Sequence, residues 1–138
     1  MTYYSLNDVY EDFEALDRDD RWGLIIDLGR ALEPMPDALK TDSTLVQGCS
    51  SDVWTYPLPT SNSDRLHFLA DSTSAITKGI IALILLAVQD RGADEILATD
   101  IEGALRAFNL EKHFTSKRTQ GIPNMIALIR ATAQRLLG

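Results

Sequence analysis

Apolar residues recur at helical spacing near the start of the chain, shift to strand-like runs in the middle, and return to helical spacing through the second half. Val9, Phe13 and Leu16 fall on one face at spacings of three and four, and Ser5 followed by Asp8 suits the start of a first helix. Trp22, Ile25, Ile26, Gly29 and Leu32 share a face of a second helix, capped by Asp19 and Asp20 and ended by Pro34 and Pro36. Asp37 to Thr44 forms a connector. From Leu45 the period changes: "LVQGC" and "DVWTYPL" are rich in β-branched and aromatic residues and are split by Ser50 and Ser51, and "RLHFLA" follows the turn residues "TSNSD". These runs predict a small three-stranded antiparallel sheet, with Pro57 and Pro59 at a strand end or edge.

Beyond the sheet, Asp71 and Ser72 are expected to open a long helix that contains the run "IIALILLAV" from Ile80 to Val88, with Gly92 closing it at positive φ. Nine apolar residues fall far short of the roughly twenty needed to cross a bilayer, so the run predicts a buried core helix. Asp100 caps a further helix through Phe108. The last helix starts close to Gly121 or Ile122, because Pro123 is tolerated only in a first turn, and it turns Ile126, Ile129, Ala133 and Leu136 toward the core. "FTSKRTQ" is an irregular approach to it. The fold class expected is α+β, with helices flanking the small sheet in a single domain spanning 1–138.

Composition narrows the function. At 138 residues and 45% hydrophobic content the chain is one ordinary globular domain. Thirteen Lys and Arg against twenty Asp and Glu leave a net charge of -7, the wrong sign for binding a phosphate backbone, so nucleic acid is not expected as a partner. "MTYYSLNDVYEDF" has no basic segment leading into an apolar one, which predicts no secretory signal, no membrane association and a cytoplasmic location. One cysteine cannot build a disulfide framework, a cluster scaffold or a dithiol redox pair, and with His67 and His113 it makes too few soft ligands for structural zinc. Neither a metal nor a cofactor is expected.

That cysteine, Cys49, stands in a polar turn. Gly48 permits backbone conformations closed to other residues, and Ser50 and Ser51 leave space around the thiol. A free cysteine is usually a small buried hydrophobe. Against that, this one occupies a bend between strands, where loops present reactive groups. Spacing alone leaves the choice open between a reactive and a structural thiol. A Cys-His hydrolase, with His67 or His113 as the base, and an interaction module with a structural cysteine remain as alternatives.

"LVQGCSSDVW" resembles the cysteine motif of the SufE and CsdE sulfur acceptors. "ADSTSAITKGIIALIL" resembles the segment opening that family's long helix, and "HFTSKRTQGIPNMIALIRA" its C-terminal Ser-Arg-x-x-Gly stretch and helix. The blocks keep the family's order from about Val9 onward; Lys117 replaces the Ser common before the Arg, and Pro123 a helix former. The resemblance implies a SufE/IscU-like α+β fold and a carrier, more than a free-standing enzyme. It implies that persulfide sulfur passes from a pyridoxal-phosphate-dependent cysteine desulfurase of the SufS or CsdA kind onto Cys49, and then to a downstream Fe–S scaffold or other acceptor. Gly48 would shape the turn. Arg118 would support transfer or docking, against an alternative as a surface cation, and Asp71 would lie close to the cysteine loop, with helix capping as its simpler role. Trp54 would pack the sheet against a helix.

Overall fold

The computed structural model describes residues 5–46, 52–58, 65–110 and 121–137. Helix α1 (Leu6–Ala15) begins where the Ser5 hydroxyl accepts the Asp8 N–H at 3.3 Å, and it buries Val9 and Phe13. Helix α2 (Arg18–Arg30) is capped by Asp17, which accepts the Asp20 N–H at 3.1 Å. Asp19 and Asp20, expected as the caps, lie inside the first turn, where their charge meets the positive end of the helix dipole. The buried face of α2 is Leu24, Ile25, Leu28 and Gly29, and the helix ends before Pro34 and Pro36. A single 3-10 turn (Asp37–Leu39) interrupts the connector.

Strands β1 (Val53–Leu58) and β2 (His67–Ser72) pair antiparallel, with Val53 opposite Ser72 and Leu58 opposite His67. The sheet expected to have three strands has two among the described residues. The run from Leu45 contributes one isolated bridge, Leu45 to Trp54, supported by Thr55 N–H to Thr44 O at 2.9 Å and Val46 N–H to Val53 O at 2.7 Å. Strand β2 also lies further along than "RLHFLA": Leu66 forms an isolated bridge to Arg91, while Asp71 and Ser72 finish the strand instead of opening the next helix.

Helix α3 (Ala75–Val88) is capped by Ser74, whose hydroxyl accepts the Thr77 N–H. Its apolar run is the centre of the core, with Ile80, Ile81, Leu83, Ile84 and Val88 all at most 2% exposed. No helix among the described residues is long and apolar enough to cross a membrane. Gly92 does not close α3 at positive φ. Asp90 takes the left-handed conformation (φ 57), a residue type that tolerates it, and Gly92 (φ −66) is the N-cap of α4 (Ala93–Ala98). Helix α5 (Ile101–Arg106) is capped by Asp100 as expected but ends two residues before Phe108.

Helix α6 (Ile122–Leu137) starts where Pro123 requires. Met125, Ile126, Ile129 and Ala133 are buried, but Leu136 is 59% exposed, beyond the edge of the core. Arg130 ties α6 down with two bonds to Glu102 (2.5 and 2.7 Å) and one to the Thr99 carbonyl. Helices α2 and α3 cross where Gly29 faces Gly79, so closely that a Cβ on Gly29 would lie 2.7 Å from the Gly79 nitrogen. Phe108 closes the core edge-on against Tyr10 and Phe13.

Candidate functional site at the root of the cysteine loop

Cys49, Gly48, Arg118, His113 and Lys117 lie outside the described residues, as do Ser50, Ser51 and the approach "FTSKRTQ". The root from which the cysteine loop springs is described. One leg ends at Val46 and the other starts at Asp52. The Val46–Val53 hydrogen bond joins the legs, and the Thr73 N–H donates to the Asp52 carbonyl at 3.1 Å. Val46 and Val53 are 6% and 2% exposed, so the legs rest on core packing.

Across this root, Leu45, Trp54 and Asp71 form a row, the first two joined by the bridge and the last two paired in register. Asp71, expected to cap a helix, caps none: it stands in β2 opposite Trp54. Its Oδ1 accepts the Ser72 N–H at 2.8 Å, and its carboxylate sits between two lysines, Lys40 Nζ at 2.8 Å and Lys78 Nζ at 3.3 Å. Lys40 reaches over the Trp54 ring (5.7 Å to its centroid) and also pairs with Asp37 at 3.3 Å. Trp54, expected to pack the sheet against a helix, instead presents its ring to Lys40 on the half-buried face, while Val53 and Thr55 point into the core. Partial burial alone would raise the Asp71 pKa. The bonds from Lys40, the Ser72 N–H and Lys78 outweigh burial and hold it below the usual carboxylate range, while Asp71 raises the Lys40 pKa in turn.

Neither lysine was singled out from the sequence. Lys78 left one signal: it is the sole charged residue in the fourteen of α3, and a lone cation on an apolar helix needs a partner. Lys40 left none, since only the fold brings position 40 beside position 71.

His67 pairs with Leu58, at the opposite end of the sheet from Val53 and Ser72. Five residue steps put it about 17 Å along the strand from the loop root. Its ring nitrogens lie 2.6 Å from Glu33 Oε1 and 2.7 Å from Asp90 Oδ1. Both ring nitrogens of His67 are thus engaged by carboxylates at the end of the sheet away from Val46 and Val53. Among the described residues no group of His, Cys, Asp or Glu side chains is arranged to hold a metal ion.

The fold resembles the solution structure of a hypothetical protein from Thermus thermophilus, with a TM-score of 0.76 over 99% of this chain and 98% of that one at 16% sequence identity. In sequence, the chain is 34% identical over 119 residues to the cysteine desulfuration protein SufE of Wigglesworthia glossinidia brevipalpis, covering 86% of this chain and 82% of that protein. It is 32% identical over 133 residues to an uncharacterised SufE-like protein of Rhizobium meliloti (strain 1021), covering 94% of this chain and 95% of the relative. With residues 7–133 matching the SufE profile, described as an Fe-S metabolism associated domain, the chain belongs to the SufE family.

Proposed function

We propose that this protein accepts persulfide sulfur from a cysteine desulfurase on Cys49, stimulates the desulfurase by unloading it, and passes the sulfur on for Fe–S cluster assembly. One observation carries the reading: the family match spans the chain and takes in its single cysteine, which lies in sequence between Val46 and Val53, themselves joined by a hydrogen bond. The relative from Wigglesworthia, named for cysteine desulfuration, supports the same direction.

In the transfer step the Cys49 thiolate attacks the terminal sulfur of the desulfurase persulfide. The sulfur–sulfur bond to the desulfurase cysteine breaks and that cysteine leaves as a thiolate, while a new sulfur–sulfur bond forms on Cys49 and carries the terminal S–H with it. Thiolate replaces thiolate, so no oxidant or reductant is consumed. One cysteine suffices. Gly48 would give the turn its freedom, and Arg118 would hold the anionic sulfur or a carboxylate of the partner. Asp71, with Lys40 and Lys78, would keep the loop's legs in register. The cytoplasm is the expected setting.

The test is cysteine-dependent sulfide release by a desulfurase with and without this protein, followed by mass spectrometry of the alkylated chain. Stimulation together with added sulfur on Cys49 is the expected result. If Cys49→Ala still stimulates turnover and still carries sulfur, the assignment is wrong.

A further inference from the structure

Away from the loop root, three segments meet at His67. Glu33 follows α2, His67 starts β2, and Asp90 stands in the turn after α3. Carboxylates only accept hydrogen bonds, so with an acceptor on each ring nitrogen both nitrogens must donate, which requires the imidazolium form. The two arms differ. Asp90 is fixed independently: its N–H donates to the Leu66 carbonyl at 2.8 Å, and its own carbonyl accepts from Arg65 Nη1 at 2.8 Å. Both carboxylates are exposed, Glu33 at 52% and Asp90 at 60%, so the difference lies in the anchored Asp90 backbone; the Glu33 carboxylate is held by His67.

A cleft of about 340 Å³ shares Glu33 with this group and lies between the end of α2, β2 and α3. Leu28 of α2 and Leu32 and Glu33 after it form one wall. Phe68, next to His67, and Gln89, next to Asp90, form part of the opposite wall. That opposite wall is closed by neutral bonds, because the Gln89 amide both accepts from the Phe68 N–H (2.7 Å) and donates to its carbonyl (2.8 Å). No proton at ordinary pH alters those bonds. Glu33 on one wall is joined to His67 and Asp90, the neighbours of Phe68 and Gln89 on the other, through a titrating group.

We propose that Glu33, His67 and Asp90 form a proton-dependent clasp that holds the segment following α2 against β2 and the turn after α3, beside this cleft, and releases it when His67 gives its proton to solvent. A neutral ring turns one nitrogen lone pair toward a carboxylate, so one of the two contacts must break. Asp90 is pinned by its backbone, and the break falls on Glu33. Burial works against the charged ring, but the bonds to Glu33 and then Asp90 outweigh it and raise the His67 pKa above the ordinary histidine value. With the folded pKa raised, the clasp is complete below the ordinary value and opens as pH climbs through the folded one. The other charged groups at this point are Arg65 and Arg91 beside the turn. The clasp is independent of the sulfur-acceptor reading.

Nuclear magnetic resonance on the whole chain tests it, with His67 resonances assigned by their loss in His67→Gln. The expected result is a His67 midpoint above that of free histidine, with the backbone amides of Leu32 and Glu33 becoming mobile at the same midpoint while those of Phe68 and Gln89 stay ordered. The released-to-closed ratio should rise about tenfold per pH unit through that midpoint. In His67→Gln the Leu32 and Glu33 amides should be mobile at every pH. Should that variant fail to fold, Glu33→Gln, at an exposed position, decides: the His67 midpoint should fall. A midpoint at or below that of free histidine, pH-independent Leu32 and Glu33 amides, or an unmoved midpoint in Glu33→Gln overturns the clasp.

Discussion

Replacing Gly79 with alanine tests the packing on which the rest of the fold hangs. An ideal Cβ at that position overlaps the carbonyl oxygen and Cγ2 of Ile25 and stands 2.8 Å from the Ile25 carbonyl carbon. The obstruction is backbone, so no rotamer relieves it, and α2 and α3 must separate by roughly 1 Å to restore an ordinary C···O contact. A gap of that size forfeits a quarter to a half of the dispersion energy along the crossing, and overpacking of this kind costs about 1–3 kcal/mol. Taking the upper end of that cost, and with alanine returning about 1 kcal/mol of helix propensity, the net loss is about 2 kcal/mol. With a urea slope of about 2 kcal/mol per molar, the midpoint should fall by about 1 M. Gly23→Ala is the control: it lies on the same helix as Gly29, but a Cβ there meets nothing within 4 Å. Its propensity gain should appear unopposed, moving the midpoint up by about 0.5 M. Urea unfolding followed by circular dichroism measures both. A Gly79→Ala protein unfolding at or above the parent midpoint would refute the crossing geometry.

Arg118→Ala should leave the urea midpoint unchanged and lower stimulation of the desulfurase at subsaturating concentration; unchanged stimulation would reduce Arg118 to a surface charge. The lowered Asp71 pKa means that its ion pairs contribute stability above the ordinary aspartate range and lose it as pH falls through the folded value. The stability gap between the parent and Asp71→Asn should therefore be largest near neutral pH and shrink toward about pH 3, as read by urea melts at both. Thr55 is 4% exposed and its hydroxyl has no hydrogen-bond partner among the described residues, so Thr55→Val should raise stability by about 1 kcal/mol in the same assay.

Local rules carried much of the fold. Ser5 and Asp100 cap where their side chains reach the third residue onward, and Pro123 sets the start of α6, because capping and proline sterics act within one turn. The errors came where two local solutions competed. Asp71 and Ser72 have capping chemistry, yet pairing with Trp54 and Val53 keeps them in the strand, and Ser74 caps α3 instead. Gly92 looked like the helix terminator, but Asp90 makes the left-handed turn because its N–H must reach Leu66. The motif around Cys49 was legible as a string of residues. The lysine pair on Asp71 was not, because Lys40, Asp71 and Lys78 come together only through the pairing of β1 with β2 and the packing of α3 on β2. His67 likewise looked like a possible base, and its two carboxylate partners come from positions 34 and 23 residues away.

The apolar run of α3 has a further consequence, for the chain when it is not folded. "IIALILLAV" is largely covered in the native state, but an unfolded molecule presents it as nine contiguous sticky residues, with Lys78 two positions before it and Asp90 two positions after as its nearest charged gatekeepers. In neutral buffer the excess of carboxylates keeps such molecules apart by repulsion. Near the isoelectric point of about 4.7 that repulsion vanishes. Heating at that acidity should therefore yield precipitate and a melting temperature that depends on scan rate, whereas at neutral pH the same chain should have time to refold.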